Sequence, residues 1–311
     1  MKTIIFNVGS AFSAYVECAE KKIVIDLGTG NDFSPVNDFL IPLFKKRNVP
    51  KMKDGRYYID QLIISHPHND HISDIEAFDK NFFVHLLTTP NDRWDAKDTY
   101  RNVEWNLISD PKNKFVNYMR KNMFEGRQVP LQTSTNGQNI AYIWPVSVHK
   151  KAALFNESYT NNISIATFFA SDVYNIFFPG DLQKEGMAFL LDKQSGYKDN
   201  AIELIETLAD GVDYLVAPHH GLCSSFSIDL FDLIGKTRKL NIIPEKIYSE
   251  DDNREIDERY QGKEYCEGNN NESTEECKVY SHKTSVGHIY IDDDGDFIQT
   301  KDIQEILDNF D

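Results

Sequence analysis

Residues 64–72 read ISHPHNDHI, an unusual concentration of histidines. It holds three of the nine histidines of the chain, together with an aspartate. The residues before it, YYIDQLII, are apolar and rich in β-forming types, which predicts a buried strand over 59–64. Polar side chains that cluster where a buried strand ends predict a functional loop, and imidazole with carboxylate is a ligand set typical of zinc.

The composition indicates a globular protein and limits the kinds of molecule that it is expected to bind. The chain has 311 residues, of which 41% are hydrophobic. It contains 33 Lys and Arg and 49 Asp and Glu, which gives a net charge of −16. That charge argues against a broad, non-specific phosphate-binding face, although a metal site can neutralise phosphates locally. No apolar run is long enough to span a membrane. Four scattered cysteines without a CxxC pair, and the lack of a signal-peptide pattern, predict a cytoplasmic protein.

Strand and helix patterns alternate along the chain, which predicts an α/β fold of two sheets covered by helices. The first 27 residues read as three short strands in an antiparallel meander. Helices are expected at four places: 37–46, 183–192, 200–209 and 303–310. We expect one domain over 1–311 with two insertions, a lid-like helical one at about 91–136 and an acidic, flexible one at about 250–280.

Metal-binding side chains stand at four predicted strand ends: Asp26; His66, His68, Asp70 and His71; Asp181; and His219 with His220. Residues two apart in an extended loop point the same way, so the first two histidines of the cluster can reach one ion. Asp70 and His71 lie past a turn and can face a second ion. Asp181 follows the apolar run NIFFPG, where a carboxylate is costly unless it is paired or metal-bound.

Each of these residues, taken alone, also has a simpler interpretation. Asp26 could end a strand at a turn, Asp181 could cap a helix, and His219 with His220 could pack on an aromatic ring. The order of the four groups along the chain, each at a strand end, favours the metal site.

The segments SHPHNDH, FFPGDL and APHHG together resemble the metallo-β-lactamase superfamily, and more closely the hydrolase domain of its ComEC-like branch. The opening segments FNVGSAFSAYVE and KKIVIDLG and the hairpin YTNNISIATFF are similar to the same branch, so the resemblance covers essentially the whole chain. It implies a four-layer αββα sandwich with a dinuclear metal centre.

The resemblance also implies a role for each motif residue. The first metal would be bound by His66 and His68, and the second by Asp70 and His71. Asp181 would bridge the two metals, and His219 would complete the second site, with His220 as the alternative.

Two further residues receive roles from the resemblance, and two positions depart from it. Asp26 would brace the metal-binding loop through hydrogen bonds. His149 is the candidate for a third histidine at the first metal, a ligand that the ComEC-like branch often lacks. Residues 72–74 replace the usual glycine pair after the histidine motif, and Leu222 replaces the usual serine after His-His-Gly.

These features predict a metal-dependent hydrolase with two divalent ions. Zinc is favoured because His68 stands where diiron members of the superfamily tend to carry glutamate, and manganese is the other candidate. A hydroxide bridging the metals would attack the substrate, with Asp70, His71 and Asp181 as the catalytic residues. Paired metals suit attack on phosphorus, so we expect a phosphodiesterase or nuclease acting on a nucleotide or nucleic acid.

Other interpretations stay open at this stage. Aromatic and basic residues alternate over 91–136, which is typical either of a surface that stacks single strands or of amphipathic helices on the core. The same metals would serve a hydrolase of C–N or C–O bonds in lactams, lactones or thioesters. The chain could also be a regulatory module bound to a protein partner in a larger system.

Overall fold

The computed structural model describes residues 1–30, 32–89, 114–115, 117–118, 132–135, 138–143, 159–162, 164–192, 198–245, 255–261 and 280–310. The chain divides into two compact units. The first unit comprises Met1–Pro130 and Thr284–Asp311, and the second comprises Leu131–Lys283. Each unit contains one seven-stranded sheet. The single-domain organisation stays a prediction.

The strands of the described residues, in chain order, are β1 Lys2–Ile5, β2 Ala14–Cys18, β3 Lys21–Ile25, β4 Tyr57–Ile63, β5 Phe82–Thr88, β6 Gln132–Thr135, β7 Gln138–Ile143, β8 Ala166–Ala170, β9 Asn175–Phe178, β10 Tyr214–Val216, β11 Leu240–Ile243, β12 Ser281–Lys283, β13 His288–Ile291 and β14 Phe297–Thr300. The sheet of the first unit has the order β14-β13-β1-β2-β3-β4-β5, and that of the second has the order β12-β11-β10-β9-β8-β7-β6.

Both sheets mix antiparallel and parallel pairs. In the first sheet, β1, β2 and β3 form the predicted antiparallel meander, whereas β3, β4 and β5 are parallel. In the second sheet, β6 to β9 are antiparallel neighbours, and β9, β10, β11 and β12 are parallel. Parallel strands end at the same edge of a sheet. In each sheet, the loops that follow the parallel strands therefore lie close together.

The helices of the described residues are α1 Ile41–Lys46, α2 Asn69–Ile72, α3 Ile75–Asn81, α4 Tyr159–Asn162, α5 Lys184–Leu190, α6 Lys198–Ala209, α7 Ile228–Ile234 and α8 Ile303–Asn309. A π-helical segment, Pro35–Leu40, leads into α1. Its start is capped because the Ser34 side chain accepts a hydrogen bond from the Asn37 backbone N–H, and proline at the first position needs no such partner.

Aromatic side chains hold the helices of the first unit against its sheet. The Phe39 and Phe310 rings lie 5.4 Å apart, and the Phe44 and Phe82 rings lie 5.3 Å apart, both edge-on. All four side chains are fully buried. Full burial of an aromatic side chain contributes about 1.5–3 kcal/mol. The first contact therefore holds the segment Pro35–Leu40 against the end of α8, and the second holds α1 against β5.

Helices α5, α6 and α7 pack with strands β8 to β11 in the apolar core of the second unit. Phe226 and Phe231 stack at 4.9 Å, and both rings contact Tyr260. Because Tyr260 belongs to the short 3-10 helix Glu258–Gln261, this cluster ties the segment 255–261 to α7.

The predicted helices agree with the structure to within a few residues. The expected helix at 37–46 is divided between Pro35–Leu40 and α1, and the other three correspond to α5, α6 and α8. Strand β5 and helix α7 were not predicted. β5 follows α3 directly, without a turn residue to mark its start, and α7 has only seven residues.

Most of both predicted insertions lies outside the described residues. Within the first, Phe115 and Tyr118 are helical and buried in the core of the first unit, so these two rings are not part of a stacking surface. Strand β6 contradicts the helical prediction for the end of that insertion. The dipeptide Asn136-Gly137 separates β6 from β7, and it is the typical signal of a two-residue hairpin.

Candidate metal centre

The parallel strands β3 and β4 bring the predicted metal-binding loop of the first unit together. Asp26 follows β3 directly, and the segment 65–71 follows β4. Backbone hydrogen bonds join the two segments, from Asp26 N to Ile63 O at 2.8 Å and from Leu27 N to His71 O at 2.7 Å. The loop is therefore anchored to the sheet edge at both of its ends.

The Asp26 side chain binds two residues of this loop, Ser65 and His71. Asp26 is fully buried and has a left-handed backbone with φ of 55°, which is uncommon for a residue other than glycine. Its carboxylate accepts hydrogen bonds from the backbone N–H and the hydroxyl of Ser65, both at 2.7 Å. The second carboxylate oxygen also lies 2.7 Å from His71 Nδ1. Burial raises the pKa of the Asp26 carboxyl, and the contacts with His71 and Ser65 oppose that shift.

The contact with Asp26 decides which nitrogen of His71 can bind a metal. A carboxylate can only accept, so the proton lies on Nδ1 and the lone pair on Nε2. Metal-binding histidines commonly donate their other N–H to a carboxylate in this manner, which orients the ring and raises the basicity of the ligand atom. His71 is 1% exposed, and its Nε2 atom is buried.

His66 and His68 present nitrogens to one another. His66 Nε2 lies 3.0 Å from His68 Nδ1, and the other nitrogen of His66 lies 3.1 Å from the Ser65 hydroxyl. Two ligands bound tetrahedrally to zinc at about 2.0–2.1 Å lie about 3.4 Å apart. The two imidazoles thus need to move only slightly to hold one cation.

Asp70 and His71 form the second donor pair of the loop, with ligand atoms within 4.8 Å of one another. Helix α2, which carries both, is held because Phe12 N donates to Asp70 O at 3.0 Å. Gly28 makes this approach possible, since a Cβ atom there would lie 2.2 Å from Asp70 O. Ser73 and Asp74 bind neighbouring segments: Ser73 Oγ accepts from Thr29 N, and the Asp74 carboxylate accepts from Val36 N.

In the second unit, Asp181 follows β9 through a tight turn at Gly180, whose φ is 63°. Two polar residues before β8 hold this turn. Ser164 Oγ accepts from Asp181 N at 3.1 Å, and Asn162 Oδ1 accepts from Gln183 N at 2.9 Å. The polar residues of the segment NNIS, residues 161–164, therefore hold the turn that carries Asp181.

The two histidines after β10 occupy different environments. Both have left-handed backbones, with φ of 47° at His219 and 60° at His220. Strained backbone of this kind persists where the surrounding structure enforces it, and it clusters at functional sites. His220 Nδ1 lies 2.9 Å from the Pro244 carbonyl, which can only accept, so Nε2 carries the lone pair. That atom lies 3.7 Å from Asp181 Oδ2, a spacing that one metal ion could bridge.

Within each unit, then, the structure brings predicted residues together. The first unit pairs His66 with His68, and Asp70 with His71, while the second pairs Asp181 with His220. His149 lies outside the described residues. Side chains of this kind could hold a metal ion, and imidazole nitrogen with carboxylate oxygen fits zinc or manganese.

The sequence did not assign roles to three of the residues that hold these donors. Ser65 links Asp26 to His66, and Asn162 and Ser164 support the Asp181 turn. The polar segment NNIS is visible in the sequence and could have indicated a supporting role. Its spacing does not predict that its side chains bind a turn about 20 residues further on.

A model of a protein family matches part of the chain. Residues 7–144 match the family model described as "Metallo-beta-lactamase superfamily". No curated protein matches the chain at a significant level.

Solved structures similar to this one include Igni18, a novel metallo hydrolase from Ignicoccus hospitalis. It is 14% identical, with 94% of this chain and 99% of that chain covered and a TM-score of 0.46. Another is the metallo-β-lactamase fold protein YhfI from Bacillus subtilis, at 13% identity, with 70% and 71% covered and a TM-score of 0.33.

In the described part of the chain, none of the helices has the length and apolar character that a membrane crossing requires. The family match and the metal-binding side chains support the broader functional prediction, a metal-dependent hydrolase, while the ComEC-like branch stays a prediction. The two mixed sheets with their helices, and the match over residues 7–144, confirm the predicted fold class: the chain has the metallo-β-lactamase fold.

Proposed function

We propose that the protein is a phosphodiesterase or nuclease that works with two divalent metal ions, zinc or manganese. The proposed ligands, which the ligand order of the superfamily supports, are His66, His68, Asp70, His71, Asp181 and His220. One observation carries the proposal. His71 and His220 each engage Nδ1 with a group that can only accept, Asp26 and the Pro244 carbonyl, so that each keeps Nε2 as a metal-binding atom.

The bound cations would supply a water of lowered pKa and would clamp the oxygens of the reacting phosphoryl group. The protein has to hold the metal-binding side chains in fixed positions. Asp26 does so for His71, since its carboxylate is fixed by two hydrogen bonds from Ser65. Asp70 offers a second carboxylate beside His71, and it would orient the attacking water. Asp181, whose turn is held by Ser164, would supply a further carboxylate ligand.

The choice of a phosphodiester rests on the two-metal ligand set and on the resemblance to the ComEC-like hydrolase domain. The net charge of −16 favours a nucleotide-sized or otherwise defined substrate over long duplex DNA. We further propose that the protein acts in the cytoplasm and that its activity serves a larger system with a protein partner.

Metal content and hydrolysis, measured on the same samples, test this proposal. Wild type, the double variant Asp70→Ala/His71→Ala and the control His85→Ala would be purified side by side, since His85 is an exposed histidine on β5. Mass spectrometry would count metal, and each sample would be assayed on bis-p-nitrophenyl phosphate and on single- and double-stranded nucleic acid. We expect two ions per chain and phosphodiester cleavage in wild type and control, and loss of both in the double variant.

The other outcomes separate the alternatives. Two metals without phosphodiester cleavage, but with hydrolysis of a lactam, lactone or thioester, would replace the proposal by a carbon-centred hydrolase. Two metals without any hydrolysis, together with a stable partner in a pull-down, would favour the regulatory module. Wild type without metal would refute the catalytic interpretation.

A further inference from the structure

His219 and His220 are neighbours, but the structure gives them different partners. Both ring nitrogens of His219 lie within hydrogen-bond distance of side chains, Nδ1 at 2.6 Å from Ser225 Oγ and Nε2 at 3.3 Å from Asn161 Nδ2. His220 instead uses Nδ1 for the Pro244 carbonyl and faces Asp181 with Nε2. The two rings are 6.1 Å apart. The consecutive left-handed backbones therefore send one imidazole towards Asp181 and the other towards Asn161 and Ser225.

The protons of this chain of side chains can be assigned in turn. The amide nitrogen of Asn161 can only donate, so His219 Nε2 is the acceptor and Nδ1 carries the proton. His219 Nδ1 then donates to the Ser225 hydroxyl oxygen, which is fully buried. A nitrogen that already accepts a hydrogen bond from an amide does not offer its lone pair to a metal.

Asn161 supplies a second, independent observation. Its side chain is 9% exposed, and its Oδ1 atom is buried without a hydrogen-bond partner among the described residues. A buried acceptor without a partner costs free energy, so its presence beside a site indicates that a ligand completes it. Asn161 also lies in α4, next to Asn162, which holds the Asp181 turn.

We infer that Asn161 and His219 position the substrate, and that His220 is the metal ligand of the His-His pair. The inference rests on the proposed hydrolase function. Oδ1 would accept a hydrogen bond from a hydroxyl or N–H group of the substrate, because a phosphodiester anion itself carries no hydrogen-bond donor. Ser225 and His219 act through Asn161 and fix its amide so that the oxygen faces the substrate. A nucleotide carries such donors on its sugar and base, whereas bis-p-nitrophenyl phosphate carries none.

Metal content tests the assignment of the two histidines without any assay of activity. Wild type, His219→Asn and His220→Asn would be loaded with Co²⁺, and stoichiometry and visible absorption spectrum would be recorded. We expect His219→Asn to keep the wild-type stoichiometry and spectrum, and His220→Asn to change both. Loss of metal in His219→Asn to the same extent as in His220→Asn would overturn the assignment.

Binding and hydrolysis test the positioning role, with Asn161→Ala as the variant. Titration of the metal-loaded protein with thymidine 5′-monophosphate should show affinity reduced by about tenfold, the effect of one lost hydrogen bond. The KM for the p-nitrophenyl ester of that nucleotide should rise about tenfold more than the KM for bis-p-nitrophenyl phosphate. A merely structural role would move both KM values together, so equal changes would refute the inference.

The two proposals can fail separately. If wild type hydrolyses neither ester but binds the nucleotide through Asn161, the proposed reaction is wrong and the positioning role stands. If the metal-loaded wild type does not bind the nucleotide at all, the positioning role is wrong whatever the reaction.

Discussion

His288 gives the protein a pH dependence that can be worked out from its surroundings. It begins β13 and is 5% exposed, with its ring centroid 4.6 Å from that of Phe33. Its Nδ1 atom accepts a hydrogen bond from the Asn7 backbone N–H at 2.9 Å, so the folded protein holds the ring in a neutral form. Burial lowers the pKa of His288 from 6.5 to about 4.

The direction of the effect follows from proton linkage. Between pH 6.5 and about 4 the unfolded chain binds a proton that the folded chain does not. Stability that is complete above pH 6.5 is therefore lost as the pH falls, by about 1.4 kcal/mol for each pH unit. The loss approaches about 3 kcal/mol near pH 4, a large share of the stability of an ordinary domain.

Urea unfolding of wild type and His288→Asn, both with chelator present, would measure the contribution of His288 to the pH dependence of stability. Asparagine keeps an acceptor for the Asn7 N–H and does not titrate, so the difference in free energy of unfolding isolates the histidine. Between pH 7.5 and 4.5 we expect wild type to lose about 2–3 kcal/mol more than the variant. The variant His85→Asn, at an exposed position, should follow wild type. Parallel curves for wild type and His288→Asn would show that the reasoning is wrong.

Three further substitutions test the loop and the core. Asp26→Asn should weaken metal binding by about 10–100-fold in chelator competition, because the carboxylate that orients His71 is lost. The control Asp308→Asn, at an exposed position, should have no effect. Gly28→Ala should lower stability by about 2 kcal/mol and reduce metal content, since its Cβ would lie 2.2 Å from Asp70 O; unchanged thermal unfolding would contradict this. Phe115→Ala should cost about 3 kcal/mol in chemical denaturation and should leave nucleic-acid affinity unchanged, because the side chain is fully buried in the core of the first unit.

Much of the fold could be predicted from residue patterns. Helices at 37–46 and 303–310 were recognisable because apolar residues recur with helical spacing, and the opening meander because short apolar runs are separated by turn residues. Strand β5 was not recognised because α3 runs into it without a break. Strand β6 was assigned to a helical insertion, although Asn136-Gly137 marked a hairpin.

By itself, the sequence determined the donor types, their order along the chain and the fold class. Three histidines and an aspartate within residues 66–71, directly after an apolar strand, leave few alternatives to a metal-binding loop, because such side chains are costly at a buried strand end without a ligand.

The partners of each histidine depend on tertiary contacts. The proton position on an imidazole is set by its hydrogen-bond partners, and these are distant in sequence: Pro244 lies 24 residues from His220, and Asn161 lies 58 residues from His219. No spacing rule within the motif APHHG distinguishes the two residues. Parallel strand order brings Pro244 beside one ring, and the segment before β8 brings Asn161 beside the other. For this reason His220 turns Nε2 towards Asp181, whereas both nitrogens of His219 lie within hydrogen-bond distance of Ser225 and Asn161.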